Sequence, residues 1–118
     1  MSARLCTALV VLSVTSTARA ADPDPWFGPD KAAHFAVGFG VAAAGYGVGV
    51  AAFDERWAGL TLGGGAALTL GAAKEGFDAA GLGTPSWRDF LWTTVGGALG
   101  LGIAITFDAA LRGSELSR

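Results

Sequence analysis

The sequence predicts an all-α fold: a bundle of three membrane helices that follows an N-terminal signal peptide. Three observations predict it. Residues 32–53, 57–73 and 90–107 contain no Asp, Glu, Lys or Arg. None of the three stretches opposes an apolar face to a charged one, as a helix on a soluble surface would. Hydrophobic residues make up 52% of the 118 residues and charged residues only 15%, against roughly 25% charged in a typical soluble domain. The polar surface needed to solvate three such helices is missing. A compact soluble helical bundle is the alternative.

The N-terminal element, residues 1–20, has the form of an export signal. Arg4 supplies the positive start, residues 5–14 a short apolar core, and Ala18-Arg19-Ala20 the small-x-small pattern of a cleavage site after Ala20. An uncleaved first anchor is the alternative. Cys6 is the single cysteine and precedes the apolar core, whereas a lipid-bearing cysteine would follow it. Cleavage would leave neither a disulfide nor a thiolate-bound metal in the mature chain. Residues 21–29 form a lead-in whose prolines at 23, 25 and 29 forbid a continuous helix. Trp26 and Phe27 within it suit an anchor at a membrane interface, or packing onto the bundle.

Each apolar segment is justified by length. At about 1.5 Å per residue, residues 32–53 can cross a hydrocarbon core of about 30 Å. Residues 57–73 are the weakest span, being short and glycine-rich. Residues 90–107 make the third, within a membrane domain expected over residues 30–112, and 113–118 are a tail. Gly45-x-x-x-Gly49, Gly59-x-x-x-Gly63 and Gly96-x-x-x-Gly100 put one small-residue notch on each segment, which permits close helix packing. Orientation follows from export. The lead-in lies outside the cytoplasm, the turn at residues 54–56 inside, the loop at 79–85 outside and the tail inside. Lys and Arg are evenly divided between the two sides, so their distribution adds nothing. The net charge of −2 and the lack of a basic run exclude a nucleic-acid partner.

On an up-down-up path the charged motifs fall at one end of the bundle. Asp30-Lys31-x-x-His34 opens the first helix, with Pro29 suited to its first position and Asp30 to the helix dipole. Asp30 and His34 share a face, so the acid can orient the imidazole. The plainer role, a helix-start acid beside a packed histidine, is preferred for this motif taken alone. Lys74-Glu75-x-x-Asp78 closes the second helix. Carboxylates there oppose the dipole, which argues for a role beyond helix stability. Ser86-Trp87-Arg88-Asp89 has the Ser-x-x-Asp form of a capping box, with Ser86 as the helix cap.

Asp30-Lys31-x-x-His34-Phe35, Lys74-Glu75-x-x-Asp78 and Gly83-x-x-Ser86-Trp87-x-Asp89, in this order, resemble the YfiM-like family of small bacterial envelope proteins. Gly96-Gly97-Ala98-Leu99-Gly100 is similar too. More remotely, the opening motif resembles that of the VanZ-like membrane proteins. The resemblance covers residues 30–100. It implies an envelope location and a polar cluster and names no reaction, while the VanZ-like likeness implies a link to glycopeptide resistance or the cell surface. Two departures stand out. Many YfiM-like members look like lipoproteins, and this chain has no lipobox. Thr93 stands where the related patterns carry a further Asp or Asn, so a role needing a carboxylate there is not available.

The leading expectation is a non-enzymatic protein of the bacterial inner membrane. Its polar cluster of Asp30, Lys31, His34, Lys74, Glu75, Asp78 and Asp89 would face the periplasm. Its partners would be the lipid bilayer and an envelope protein or lipid headgroup, with no cofactor. The alternative is a small membrane enzyme acting on an envelope or lipid-linked substrate. There His34 would be the general base and a divalent metal would be held by His34, Glu75, Asp78 and Asp89. One histidine is a thin ligand set, and Lys31 and Lys74 can neutralise the acids instead.

Overall fold

The structure is a computed structural model that describes residues 24–112. The signal peptide and the tail expected from the sequence lie outside the described residues. Within them the chain is all-helical: α1 (Pro29–Phe53), α2 (Arg56–Phe77) and α3 (Trp87–Arg112), with a wide π-type turn, Asp78–Leu82, after α2. Residues 24–28 carry no helix.

Each boundary has a local cause. Pro29 starts α1 because its missing N–H costs nothing in the first turn, and Asp30 follows as an acid near the helix N-terminus. Asp54 ends α1 in the left-handed conformation, at φ 55°, and its N–H donates to the Val50 carbonyl at 2.8 Å. Asp is one of the few side chains that tolerate that conformation. With Glu55 it makes a two-residue reversal into α2. The turn after α2 closes at Gly81, whose φ of 103° suits a residue without Cβ.

The helices pack by small residues. α1 is central and contacts both neighbours more extensively than they contact each other. The notches at Gly45 and Gly49 face those at Gly59 and Gly63. A Cβ built on Gly45 would stand 2.7 Å from the Gly63 Cα, and one on Gly49 would stand 2.7 Å from the Gly59 Cα. On the other side of α1, Gly96 and Gly100 of α3 press on the backbone carbonyls of Phe35 and Phe39, and Gly38 of α1 presses on that of Thr93. Such approaches let backbones meet where a larger side chain would separate them.

The interior is correspondingly small. The buried hydrophobic residues are Ala42, Tyr46, Ala58 and Ala67, whereas Val37, Leu60, Leu70, Leu99, Ile103 and Phe107 lie exposed. Among the described residues two helices, α1 and α3, are long and apolar enough to cross a membrane. The sequence expects three such spans. The uncharged stretch of α2, residues 57–73, is shorter, and its glycines dilute the hydropathy of its leucines.

Substitution at the interfaces tests this packing. Overfilling a tight core costs about 1–3 kcal/mol and occasionally more. Gly38→Val and Gly96→Val push against backbone, which yields least, so losses at or beyond the upper end are expected. Gly65 has no atom within 4 Å of its would-be Cβ. Gly65→Ala is expected to leave the melting temperature unchanged or raise it, since Ala is better in a helix by roughly 0.5–1 kcal/mol. Thermal unfolding in detergent, followed by circular dichroism, compares the three. Equal effects would refute backbone-level packing.

Candidate functional site

The start of α1, the end of α2 and the start of α3 meet at one end of the bundle. Lys31 is at the centre, with 3% of its surface exposed. Its Nζ donates to Asp24 Oδ1 and to Asp89 Oδ1, each at 2.6 Å, and more weakly to Asp30 Oδ2 at 3.5 Å. A buried ammonium is tolerable only with such compensation, because its lost hydration must be replaced by fixed acceptors. Asp89 is buried as well and is shared: its Oδ2 lies 3.2 Å from His34 Nε2. Asp30 Oδ1 lies 3.7 Å from the same nitrogen.

The network then spreads. Thr93 Oγ1 donates to the Asp89 carbonyl at 3.0 Å and lies 3.4 Å from His34 Nδ1. Ser86 Oγ donates to Asp24 Oδ2 at 2.7 Å and accepts from the Asp89 N–H at 3.2 Å, which is the cap the spacing predicts. The reciprocal half of the capping box is made by another helix. The Ser86 N–H donates to Glu75 Oε2 of α2, and Asp89 turns to Lys31 and His34 instead. Lys74 pairs with Asp78 one turn along, and the Asp78 carboxylate occupies the space a Cβ on Gly83 would need.

Lead-in aromatics cover the cluster. Trp26 meets Trp87 edge-on with ring centroids 5.0 Å apart, and Phe27 meets Trp92 at 5.8 Å. The Arg88 guanidinium lies over the Trp26 ring at 4.9 Å and donates to the Asp24 carbonyl. Trp92 Nε1 donates to the Trp26 carbonyl at 2.7 Å. Trp26 and Phe27 thus pack on the bundle while remaining exposed. His34, Lys74 and Thr93 also border an apolar cavity of about 230 Å³ completed by Ala33, Val37, Leu70 and Gly71.

The seven polar residues expected to cluster fall into two connected groups. Asp30, Lys31, His34 and Asp89 form the centre, and Glu75 joins through Ser86. Lys74 and Asp78 form a pair at the end of α2. Of the four metal ligands considered from sequence, His34 and Asp89 come together with Asp30. Glu75 and Asp78 are engaged by Ser86 and Lys74.

Sequence reasoning missed Asp24, which sits in a proline-punctuated stretch with no helical spacing to Lys31. It also missed a second network at the opposite end. There Asp108 accepts from the Tyr46 hydroxyl at 2.7 Å, Arg56 Nε at 2.9 Å and Arg112 Nε at 2.6 Å. Arg112 Nη1 reaches Asp54 Oδ1 at 2.6 Å. The Asp108-x-x-x-Arg112 spacing was its one visible signal. No protein-family model, curated protein or solved structure matches the chain.

Two outcomes follow from the electrostatics. Removing one partner from a buried charge network typically costs roughly 3–5 kcal/mol. Lys31→Met should lose about that much, because it removes the ammonium that Asp24 and Asp89 share. Thermal unfolding measures it, with Lys74→Met, whose side chain is half exposed, as the milder comparison. The Lys31 ammonium and the Ser86 hydroxyl hold the Asp24 carboxyl below its ordinary value of 3.8. A depressed pKa contributes stability above the unfolded value that is lost as pH falls through the folded one. The melting-temperature gap between the wild type and Asp24→Asn should be widest well above pH 3.8 and close below it. A gap independent of pH would exclude the ion pair as its source.

Proposed function

We propose that the chain is a small, non-enzymatic membrane protein of the bacterial envelope, with its three helices crossing the inner membrane and its polar cluster facing the periplasm. The cluster acts as a clasp that fixes the helix ends and the lead-in. Its exposed rim, where Asp30, Trp26, Phe27 and Trp87 lie, receives a lipid headgroup or an envelope partner. The likeness to the YfiM-like proteins is part of this proposal and rests on the three motifs that build the clasp.

The observation that carries the reading is the sealed Lys31. Its ammonium is held by acceptors from the lead-in and from α3, so its charge is spent on joining elements. The membrane part is supported by the side-chain distribution, with alanine and glycine inside and leucine, valine and phenylalanine outside. That is the arrangement expected where lipid takes the place of water and helices meet through small residues. Aromatic rings at the polar end suit an interfacial belt. α2, packed mainly on α1, has 22 residues and at about 1.5 Å per residue is long enough to span.

Topology is the direct test. Alkaline phosphatase is active only when exported. Fusions after Ala80 should be active, and fusions after Arg56 and Arg112 inactive. Activity after Arg56 with none after Ala80 would reverse the orientation. Activity at all three positions would replace the membrane bundle with an exported domain.

A further inference from the structure

We infer that Asp30, His34 and Asp89 form a binding site for one divalent transition-metal ion of the zinc type. The inference goes beyond the clasp and needs no particular membrane orientation.

Its first support is the state of the imidazole. The single proton of the Thr93 hydroxyl is committed to the Asp89 carbonyl. Toward His34 Nδ1, 3.4 Å away, that oxygen is then placed to accept, which favours the tautomer with the proton on Nδ1. In the neutral form of that tautomer the Nε2 lone pair is directed at two carboxylates. Two acceptors facing a third repel unless a cation lies between them. A histidine that binds metal through one nitrogen commonly donates the other to a neighbouring oxygen, as Nδ1 does here.

The second support is spacing. An imidazolium paired with a carboxylate would make a charge-assisted hydrogen bond of about 2.7–2.9 Å. His34 Nε2 makes no such bond. Its distances are 3.2 Å to Asp89 Oδ2 and 3.7 Å to Asp30 Oδ1, and all three donor atoms lie within 4.8 Å of one another. Bonds of about 2.0–2.1 Å in tetrahedral geometry separate neighbouring ligand atoms by about 3.3 Å. The two distances from His34 Nε2 are near that spacing, and a small movement of the exposed Asp30 side chain would close the third.

The third support is charge. Lys31 occupies Asp89 Oδ1, while Oδ2 of this side chain, more than nine-tenths buried, faces His34 Nε2 at 3.2 Å. Among the described residues, five carboxylates at this end (Asp24, Asp30, Glu75, Asp78 and Asp89) outnumber three cations (Lys31, Lys74 and Arg88). Glu75 Oε1 is buried and has no donor among the described residues. The surplus matches a dication. One nitrogen and two carboxylate oxygens suit zinc or manganese better than a thiophilic ion.

The experiment uses the full chain in detergent, stripped with chelator and titrated with zinc chloride in a calorimeter. One zinc per chain is expected. Asp30 is 70% exposed as a side chain, so Asp30→Asn should fold like the wild type and bind at least tenfold more weakly. His34→Ala should abolish binding. Thr93→Val, which frees the imidazole, should weaken binding roughly 10–100-fold while keeping the ligands. His34 is the only histidine, so nitrogen NMR of the labelled ring reads the site directly. Zinc should shift Nε2 and leave the proton on Nδ1. Substoichiometric zinc, an Asp30→Asn variant that binds as tightly as the wild type, or a ring with protons on both nitrogens at neutral pH and unmoved by zinc would each overturn the inference. The last outcome would identify a plain imidazolium pair. Failure here would leave the phosphatase fusions and the Lys31→Met result untouched.

Discussion

One ammonium group organises this protein. Lys31 enters the bundle because Asp24 and Asp89 replace the water it gives up. Asp24 lies in the lead-in, Lys31 in α1 and Asp89 in α3, so a single buried charge ties together three parts of the chain. Ser86 extends the tie: its hydroxyl bonds Asp24, and its amide reaches Glu75 on α2. The helix start that Ser86 caps is thereby also the place where α2 is attached. Local helix chemistry and long-range packing use the same atoms.

Away from the charged end the logic changes. Glycine lets the backbones of α1 and its neighbours touch, and the larger apolar side chains are turned outward. Hydrophobic burial holds little of this bundle together, because its interior contains few large apolar side chains. Close van der Waals contact and the two terminal polar networks take that role. At the far end Asp108 gathers Tyr46, Arg56 and Arg112, with Asp54 bound to Arg112. All three helices and the α1–α2 reversal contribute to it.

Much of this was legible in the sequence. Three helices and their approximate bounds follow from the spacing of charge, and the helix ends simply extend one turn or so into the flanking polar residues. The convergence of Asp30, His34 and Asp89 follows from the parity of an up-down-up path. Other features follow no period. Asp24 sits among prolines, where no helical rule relates it to Lys31. The i, i+4 spacing puts Asp30 beside His34, but nothing in the sequence keeps Glu75 away from it; Glu75 is instead captured by the Ser86 N–H. The glycine notches were visible, but their pairing required the crossing of the helices. Tyr46 reads as one apolar-segment residue among many until α3 brings Asp108 to its hydroxyl.

The two polar networks have a joint mechanical meaning. From Lys31 to Asp54 the rise of α1 is about 35 Å at about 1.5 Å per residue, close to the thickness of a hydrocarbon layer. Separate helices adapt to a thinner or thicker bilayer by tilting one by one. Helices latched to each other at both ends cannot slide or tilt independently. In a membrane this bundle would behave as a strut of set length, and the surrounding lipid would have to do the adjusting.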